Sequence, residues 1–350
     1  MSNNIYLSTR DKSLEEMSLS LPANNELIVD DKGDPSVMVK IPKLTYADVG
    51  IGTSTKALPA FIVNGKEIPY IYVSKYQNIV KNDRAYSLPY QVPAVNMTID
   101  EARAYCENKG DGWHLMTNAE WAAIALWCKK HDCMPYGNNN SNYGDYYNTS
   151  DKGAPAPVYV EDWGENVPYT FTGSGPKNWY HNNDFSGIAD LNGNVYEWVG
   201  GLRLNAGEIQ VIPDNDAARA VDQSADSALW KAISQAGAMV APGTANTLKF
   251  NSSTGIKTSG TFKGMSVANG VTIPDYLKAL ALYPNDAADT YRGDYFYAGT
   301  SGETVPCRGG CYDDLVSAGV FYCYLHIGRT NCDCVIGFRS AYVPGNLLTD

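Results

Sequence analysis

The stretch Gly187-Ile-Ala-Asp-Leu-Asn-Gly-Asn-Val-Tyr-Glu-Trp198 combines a tight-turn signal with a carboxylate and a large aromatic residue. Gly193, between two asparagines, suits a turn that needs a positive φ. We expect Glu197 to be a buried carboxylate that fixes loop amides, and Trp198 to be a large apolar anchor in a fold with little regular structure. No reaction requires these residues as a set, so they predict a scaffold and not a catalytic site.

Four further motifs flank this stretch. Upstream lie Pro93-Ala-Val-Asn-Met-Thr-Ile-Asp-Glu-Ala-Arg-Ala-Tyr-Cys106 and Trp113-His-Leu-Met-Thr-Asn-Ala-Glu-Trp121, and downstream lie Arg308-Gly-Gly310 and Ile336-Gly-Phe-Arg339. In each upstream motif a Thr stands three residues before a Glu, and apolar residues at helical spacing follow. This arrangement is a capping box, so each upstream motif predicts the start of a helix.

In this order, the five motifs resemble the formylglycine-generating-enzyme (sulfatase-modifying factor) branch of the C-type lectin fold. The resemblance covers about residues 90 to 345. It implies an α+β protein with a C-type lectin fold, in which the motif residues form the scaffold. The scaffold residues are Trp121, Gly193, Asn194, Glu197, Trp198, Arg308, Gly309, Gly310, Gly337, Phe338 and Arg339, the last of these a buried guanidinium.

Composition changes along the chain predict two domains and an insertion. Residues 1–88 are β-rich, with apolar runs separated by Gly- and Pro-containing turns, and we interpret them as an attachment or oligomerisation segment. Residues 89–350 are predicted to form a lectin-type ligand-binding domain. Within it, 201–300 is rich in Ala, Ser, Gly and Thr and reads as an insertion with one or two short helices, such as 227–236.

The charge and hydropathy patterns argue against several function classes. The net charge of −11 is unlike that of a nucleic-acid binder, which normally presents a basic face. No run reaches the roughly eighteen apolar residues of a membrane span, so we expect no membrane insertion. The first residues lack the basic and apolar regions of a signal peptide, so we expect assembly in the cytoplasm.

The C-terminal segment 304–350 has an unusual composition. It contains no Lys, Glu, Gln, Met or Trp, although the whole chain holds 8 Met and 7 Trp. The same segment contains five of the 8 cysteines. A disulfide-linked tail would account for them, but disulfides persist mainly in oxidising compartments and no secretion signal is seen. The composition therefore needs another explanation.

Every residue between Gly310 and Gly337 can be encoded by a codon that ends in a pyrimidine, whereas the five missing residue types cannot. This pattern is expected when Asn codons, AAC or AAT, are randomised at their two adenines. Adenine-directed mutagenesis is typical of diversity-generating retroelements, and the chain resembles their variable proteins, which use this lectin-type fold with Gly-Phe-Arg near the end. The resemblance implies a variable region at 311–339, whose cysteines are sampled by mutation and not selected as bridges.

The variable region contains one predicted strand, Val320-Phe-Tyr-Cys-Tyr-Leu-His-Ile327, in which Tyr322, Tyr324 and His326 fall on one face. The residues between them fall on the other face, so one face can vary while the other packs the core. Replacing both tyrosines with Ala is expected to abolish ligand binding at little cost in stability, because Tyr suits an exposed binding surface. The predicted ligand-binding residues are Cys311, Tyr312, Asp313, Asp314, Leu315, Tyr322, Tyr324, His326, Ile327, Gly328, Asp333 and Val335.

The resemblance also includes enzymes, and their chemistry depends on metal ligands. The oxidase members bind copper through two thiolates shortly after the Arg-Gly-Gly, and those positions fall on Asp314 and Gly319. Iron-dependent relatives need a histidine cluster, which the spacing of the 4 histidines does not provide. We therefore expect no catalysis and no metal centre. The alternatives are structural calcium at Asn194 and Glu197, and zinc at four cysteines, Cys307, Cys311, Cys332 and Cys334.

Together these observations predict a non-enzymatic ligand-binding protein with a surface diversified by adenine-directed mutagenesis. We interpret it as a phage-tail adhesin of a virion assembled in the bacterial cytoplasm, with a protein or glycan receptor on a bacterial cell surface. A homotrimer would add avidity to weak sites. The alternatives are a formylglycine-generating-type oxidase, and a bacterial surface or host-interaction protein with the same variable module.

Overall fold

A five-stranded antiparallel sheet brings distant parts of the chain together in the computed structural model, which describes residues 14, 16–251, 253–258, 260–286 and 291–348. Its strands, in spatial order, are Asn25–Val29, Pro35–Pro42, Tyr70–Ser74, Ser340–Tyr342 and Trp113–Leu115. The C-terminal strand Ser340–Tyr342 lies between a strand of the N-terminal segment and a strand of the second motif. This sheet therefore joins the C-terminal end of the chain to its N-terminal segment.

The N-terminal segment packs into the same core as the rest of the chain. Val39, Ile71 and Val73 are buried in one apolar cluster with Trp121 and Val343. The boundary expected near residue 88 therefore does not coincide with a break in packing. The attachment or oligomerisation role of residues 1–88 stays a prediction.

A ten-stranded sheet contains the third, fourth and fifth motifs. The strand Tyr196–Trp198 pairs antiparallel with Glu303–Gly309 and parallel with Ile336–Phe338. Eight strands pair in the spatial order Met239–Val240, Lys231–Ile233, Glu208–Val211, Leu202–Asn205, Glu303–Gly309, Gly319–Ile327, Tyr295–Ala298 and Gly260–Thr261, and Tyr196–Trp198 and Ile336–Phe338 complete the ten. The predicted variable strand is thus an interior strand of this sheet.

Four two-stranded sheets, short 3-10 helices and several α-helices complete the regular structure of the described residues. Three of these sheets are hairpins, Ile62–Val63 with Lys66–Glu67, Ile79–Lys81 with Arg84–Tyr86, and Val158–Val160 with Glu165–Val167, and the fourth pairs Ile256–Lys257 with Ser266–Val267. The α-helices after residue 90 within the described part of the chain are Ile99–Glu107, Asn118–Lys130, Asp275–Ala279 and Gly345–Leu348. Among the helices of these residues, none combines the length and apolar character that a membrane crossing requires.

Both predicted capping boxes are present. Glu101 N donates to Thr98 Oγ1 at 3.3 Å, and Thr98 N donates back to the Glu101 carboxylate at 2.8 Å. Thr117 and Glu120 repeat the exchange at 3.2 and 2.9 Å. Each pair satisfies two amides that the first helical turn leaves without partners, so the two helices start where the sequence predicted.

The insertion joins the large sheet, and its predicted helix at 227–236 is wrong. Lys231–Ile233 is a strand that pairs with Glu208–Val211 and with Met239–Val240. Ala232 and Ile233 are buried, and Gly237 turns the chain with φ +82°. The strand forms backbone hydrogen bonds with both of its neighbours and buries both side chains. These two gains outweigh the weak helix propensity of this stretch. A short helix of the insertion lies instead at Asp275–Ala279.

The motif glycine and tryptophans take interior positions. Gly193 has φ +77°, and a Cβ there would lie 2.1 Å from the Asn138 carbonyl oxygen, so the turn requires glycine. The indole of Trp198 donates to the Met97 carbonyl at 2.9 Å. The indole of Trp121 donates to the Val320 carbonyl at 2.8 Å, which ties the second long helix to the variable strand.

A buried ion pair joins the third motif to the fifth. Arg339 donates from Nε to Glu197 Oε2 at 2.5 Å and from Nη2 to Oε1 at 2.6 Å, and both side chains are at most 1% exposed. The guanidinium also donates to the carbonyls of Ser74 and Ala189, both at 3.1 Å. One bidentate pair therefore holds three separate segments of chain, and removal of either partner would leave a buried charge.

Arg339→Ala is expected to lower the free energy of unfolding by about 3–5 kcal/mol, because Glu197 would stay buried without its counter-charge. Urea unfolding followed by tryptophan fluorescence measures the change. Lys43→Ala is the control: Lys43 pairs with Glu67 at 2.8 Å on the surface and should contribute no more than about 1 kcal/mol. Similar losses in the two variants would contradict the central role of the buried pair.

Candidate functional site

The strand Gly319–Ile327 separates a buried face from a partly exposed one. Phe321, Cys323 and Leu325 are each 0% exposed. On the other face Tyr324 is half-buried and His326 is exposed. The predicted two-residue period is therefore present in this strand, and only one of its faces reaches solvent.

Tyr322 differs from the expectation, because it lies on the outer face but is only 2% exposed. Its ring stacks on that of Tyr196 with centroids 5.5 Å apart, and its hydroxyl lies 3.4 Å from the Tyr196 hydroxyl. Burial, and the nearby charge of Asp314, raise the pKa of the Tyr322 phenol. The expectation that Tyr322 is displayed is therefore wrong, and we now expect its replacement to cost stability, because the aromatic contact and the burial would be lost.

The loop 311–318 precedes this strand, and the charge of its Asp314 contributes to the raised pKa of Tyr322. The first residues of the loop are buried, since Cys311 is 2% and Tyr312 7% exposed. The prediction that these two side chains are displayed for ligand binding is therefore wrong. Cys311 N donates to the Asp314 carboxylate at 2.8 Å, which closes the turn. Asp313 and Leu315 are exposed. Burial of the first two side chains anchors the loop, and the next residues carry the accessible surface.

The remaining predicted binding residues lie after the strand. Ile327, Gly328, Asp333 and Val335 are all half-buried. Val335 contacts two apolar clusters, one that includes Tyr324 and Ile327 and another that includes Tyr312. Val335 therefore packs against both the strand Gly319–Ile327 and the loop that precedes it. Nine of the predicted binding residues reach solvent at least in part, namely Asp313, Asp314, Leu315, Tyr324, His326, Ile327, Gly328, Asp333 and Val335.

Three tyrosines outside the variable region belong to this surface and were not predicted. Tyr196 stacks on Tyr324 with centroids 6.2 Å apart. Tyr297 meets Tyr324 edge-to-face at 5.4 Å and is 42% exposed, and Tyr295 packs beside Tyr297 at 4.4 Å. The alternation Tyr295-Phe296-Tyr297 could have indicated a strand with an aromatic face, but its parallel pairing with Gly319–Ile327 has no local signal.

Gly319 is held to glycine by a buried carboxyl group. A Cβ at this position would lie 2.2 Å from Asp294 Oδ1. Asp294 is 1% exposed and accepts from Phe321 N at 2.8 Å. Burial raises the pKa of Asp294 to about 8. A cysteine at 319, the position of one copper thiolate in the oxidase members, would therefore displace this carboxyl group.

The residues considered for metals do not form a site. Both Glu197 oxygens accept from Arg339, and Asn194 Oδ1 accepts from Thr170 N at 2.9 Å, so this pair does not fit calcium. All 8 cysteines are free thiols, and Cys307 and Cys311 are buried while Cys332 is exposed. Within the described part of the chain, no group of three or more His, Cys, Asp or Glu residues is placed to hold a metal ion.

Gly319→Ala is expected to lower the free energy of unfolding by about 1–3 kcal/mol, because the added methyl group collides with the Asp294 carboxyl. Chemical unfolding measures the loss. The control is Gly328→Ala, where a Cβ meets only Asn331 Oδ1 at 3.6 Å. Adding Asp294→Ala to Gly319→Ala removes the collision, so the double variant should lose less free energy of unfolding than the two single variants together. A loss equal to the sum of the two single losses would refute this explanation.

Asp294→Asn is expected to flatten the pH dependence of stability between about pH 5 and pH 8. The native carboxyl keeps its proton up to about pH 8, whereas an unfolded one loses it near its ordinary value of 3.8. The native state then binds more protons, so the free energy of unfolding falls as pH rises, by up to about 1.4 kcal/mol per pH unit. Urea titrations across this range measure the slope. The exposed Asp226→Asn should leave it unchanged.

Comparisons with known proteins place the chain in a family. The family model described as "Sulfatase-modifying factor enzyme 1-like domain" matches residues 27–221, more than half of the chain. No curated protein matches the sequence significantly.

Among solved structures, PvdO from Pseudomonas aeruginosa is 13% identical, with 92% of this chain and 99% of that chain covered and a TM-score of 0.36. Treponema denticola variable protein 1 is 12% identical, with 92% and 100% covered and a TM-score of 0.35. The Major Tropism Determinant P3c variant is 10% identical, with 92% and 73% covered and a TM-score of 0.31. The match over residues 27–221 shows that this chain belongs to the sulfatase-modifying factor enzyme 1-like family, with its C-type lectin fold of the formylglycine-generating-enzyme type.

Proposed function

We propose that this protein is a non-enzymatic ligand-binding module whose binding surface is diversified by adenine-directed mutagenesis. One observation carries the proposal. The segment 311–339, in which pyrimidine-ending codons suffice for the residues between Gly310 and Gly337, supplies the strand Gly319–Ile327 of the large sheet, and one face of this strand is partly exposed. Its alternate strand positions pack the core, and this division lets a surface change while the fold stays constant.

The chemistry of the accessible residues supports binding. Tyr324, His326 and the constant Tyr297 present aromatic rings at a sheet face, and Asp313 and Leu315 add a charge and an apolar group in the loop beside it. Tyrosine gives a large contact area for little loss of side-chain entropy. A surface of this kind suits a macromolecular partner more than a small substrate, which would need a deep pocket.

We propose that the protein is not an oxidase because of the residues at the two positions where the oxidase members carry copper-binding cysteines. Asp314 and Gly319 stand where copper-binding thiolates would be, and the Asp294 carboxyl fills the space beside Gly319. Incubation with copper and a cysteine-containing peptide tests this part. Turnover of the peptide would overturn the proposal. The phage-tail location, the bacterial receptor and the homotrimer stay predictions.

The genomic DNA gives a direct test of the diversification. A near-copy of the 311–339 coding region with adenines at the variable codons, beside a reverse transcriptase gene, is the expected result. Its absence from the genome would remove the mutagenesis from the proposal.

A display library tests the binding surface itself. Codons 313, 315, 324 and 326 are randomised with pyrimidine-ending codons and selected against lysozyme as a model protein partner. The control library randomises four exposed positions elsewhere, Asp222, Asp226, Lys257 and Lys263. We expect folded binders from the first library and none from the second. Failure of the first library to fold or to yield binders would count against the surface.

The double variant Tyr324→Ala/His326→Ala is expected to lose about 1–2 kcal/mol of stability, because His326 is exposed but Tyr324 is half-buried against Tyr196 and Tyr297. Tyr322→Ala should cost about 3 kcal/mol or more, because its ring is buried against Tyr196. Thermal and urea unfolding of both variants measures the difference. Equal losses would mean that the outer face of the strand is not divided as described.

A further inference from the structure

We propose that the hairpin Val158–Val160/Glu165–Val167 is a constant part of the ligand surface, and that it binds basic side chains of a protein partner. The inference rests on the proposed function, because it treats the neighbouring variable region as the ligand surface. It adds the chemical class of the partner. The hairpin lies outside the segment that the codon pattern marks as variable.

The hairpin packs directly on the variable region. Val158 and Val160 share an apolar cluster with Tyr312 and Val335. The Tyr169 hydroxyl, just after the hairpin, donates to the Cys334 carbonyl oxygen, and the Tyr169 and Tyr312 rings meet edge-to-face at 6.2 Å. A partner that covers Asp313 and Asp333 would therefore also meet the hairpin.

The facing segments carry more acidic than basic charge, and the flanking Lys152 donates to Asn142 Oδ1 at 2.6 Å and not to an acidic residue of the hairpin. Residues 153–176 contain Glu161, Asp162 and Glu165 but no Lys or Arg. Residues 309–338 contain three aspartates and a single basic residue, Arg329. Arg329 donates to Glu303 at 2.9 Å and to Asp100 at 3.0 Å, so its charge is already compensated. Charge complementarity therefore favours a partner with Lys or Arg side chains.

Exposed aromatic rings on the hairpin add a second attraction for cations. Tyr159 is 60% and Trp163 45% exposed, so each ring leaves apolar surface in water that a bound partner could bury with a gain in free energy. The face of an indole or phenol attracts Arg and Lys side chains. A cleft of about 280 Å³ lies between the hairpin and Cys334, with Tyr159, Glu161 and Asp162 in its lining. This volume is small for a free ligand but suits a protruding side chain.

Peptide binding tests the proposal on the full chain. The probe is a fluorescent peptide of alternating Gly and Arg, with a Gly-Glu peptide of equal length for comparison, and affinity is measured by anisotropy at about 0.15 M salt. Glu161→Gln/Asp162→Asn/Glu165→Gln is expected to weaken Gly-Arg binding about tenfold or more. Trp163→Ala should weaken it too, and the Gly-Glu peptide should not bind.

The control variant removes the same charge elsewhere, with Asp83→Asn/Asp111→Asn/Asp226→Asn, all at exposed positions. It should change the affinity less than twofold, because charges beyond about 8 Å are screened at this salt concentration. Equal losses in the two triple variants, or no binding by the unmodified chain, would overturn the proposal. If Tyr324→Ala/His326→Ala leaves Gly-Arg binding intact while the hairpin variant loses it, the cation site stands and its link to the variable surface fails.

Discussion

The ion pair between Glu197 and Arg339 is the contact on which the rest of the fold depends. This protein has long irregular loops, and regular hydrogen bonding alone does not position them. A carboxylate and a guanidinium without water must find all their partners inside the protein. Arg339 meets this requirement by binding carbonyls at Ser74 and Ala189, and Gln77 donates to Glu197 at 3.1 Å. The demand for satisfied charges therefore brings together strands that are far apart in sequence.

The division of the variable strand between core and surface follows from the same frame. Arg308 is fully buried and donates to Asn118 Oδ1 at 2.6 Å, while Trp121 donates to the Val320 carbonyl at the start of the strand. Residues outside the predicted variable region thus bind the backbone of the strand and pack against its inner face. Changes on the outer face need not disturb these contacts, which is what a diversified binding surface requires.

Sequence reasoning predicted the elements that have local or motif signals. The capping boxes at Thr98 and Thr117, the glycine turn at Gly193 and the two-residue period after Gly319 are all present. It misplaced a helix at 227–236, because sheet pairing outweighs weak helix propensity there. It also expected Tyr322 to be displayed, because a period gives the side of the strand but cannot tell whether another segment covers that side.

The amino-acid sequence by itself determined the family and the scaffold motifs and predicted a variable segment at 311–339, since these depend on residue identity and short-range spacing. The tertiary structure alone decided which variable positions reach solvent and which constant residues stand beside them. Tyr196, Tyr297 and the hairpin Val158–Val160/Glu165–Val167 come from separate parts of the chain and meet the variable region through packing and parallel pairing. Contacts of this kind have no local pattern, because they arise only when the whole core is assembled.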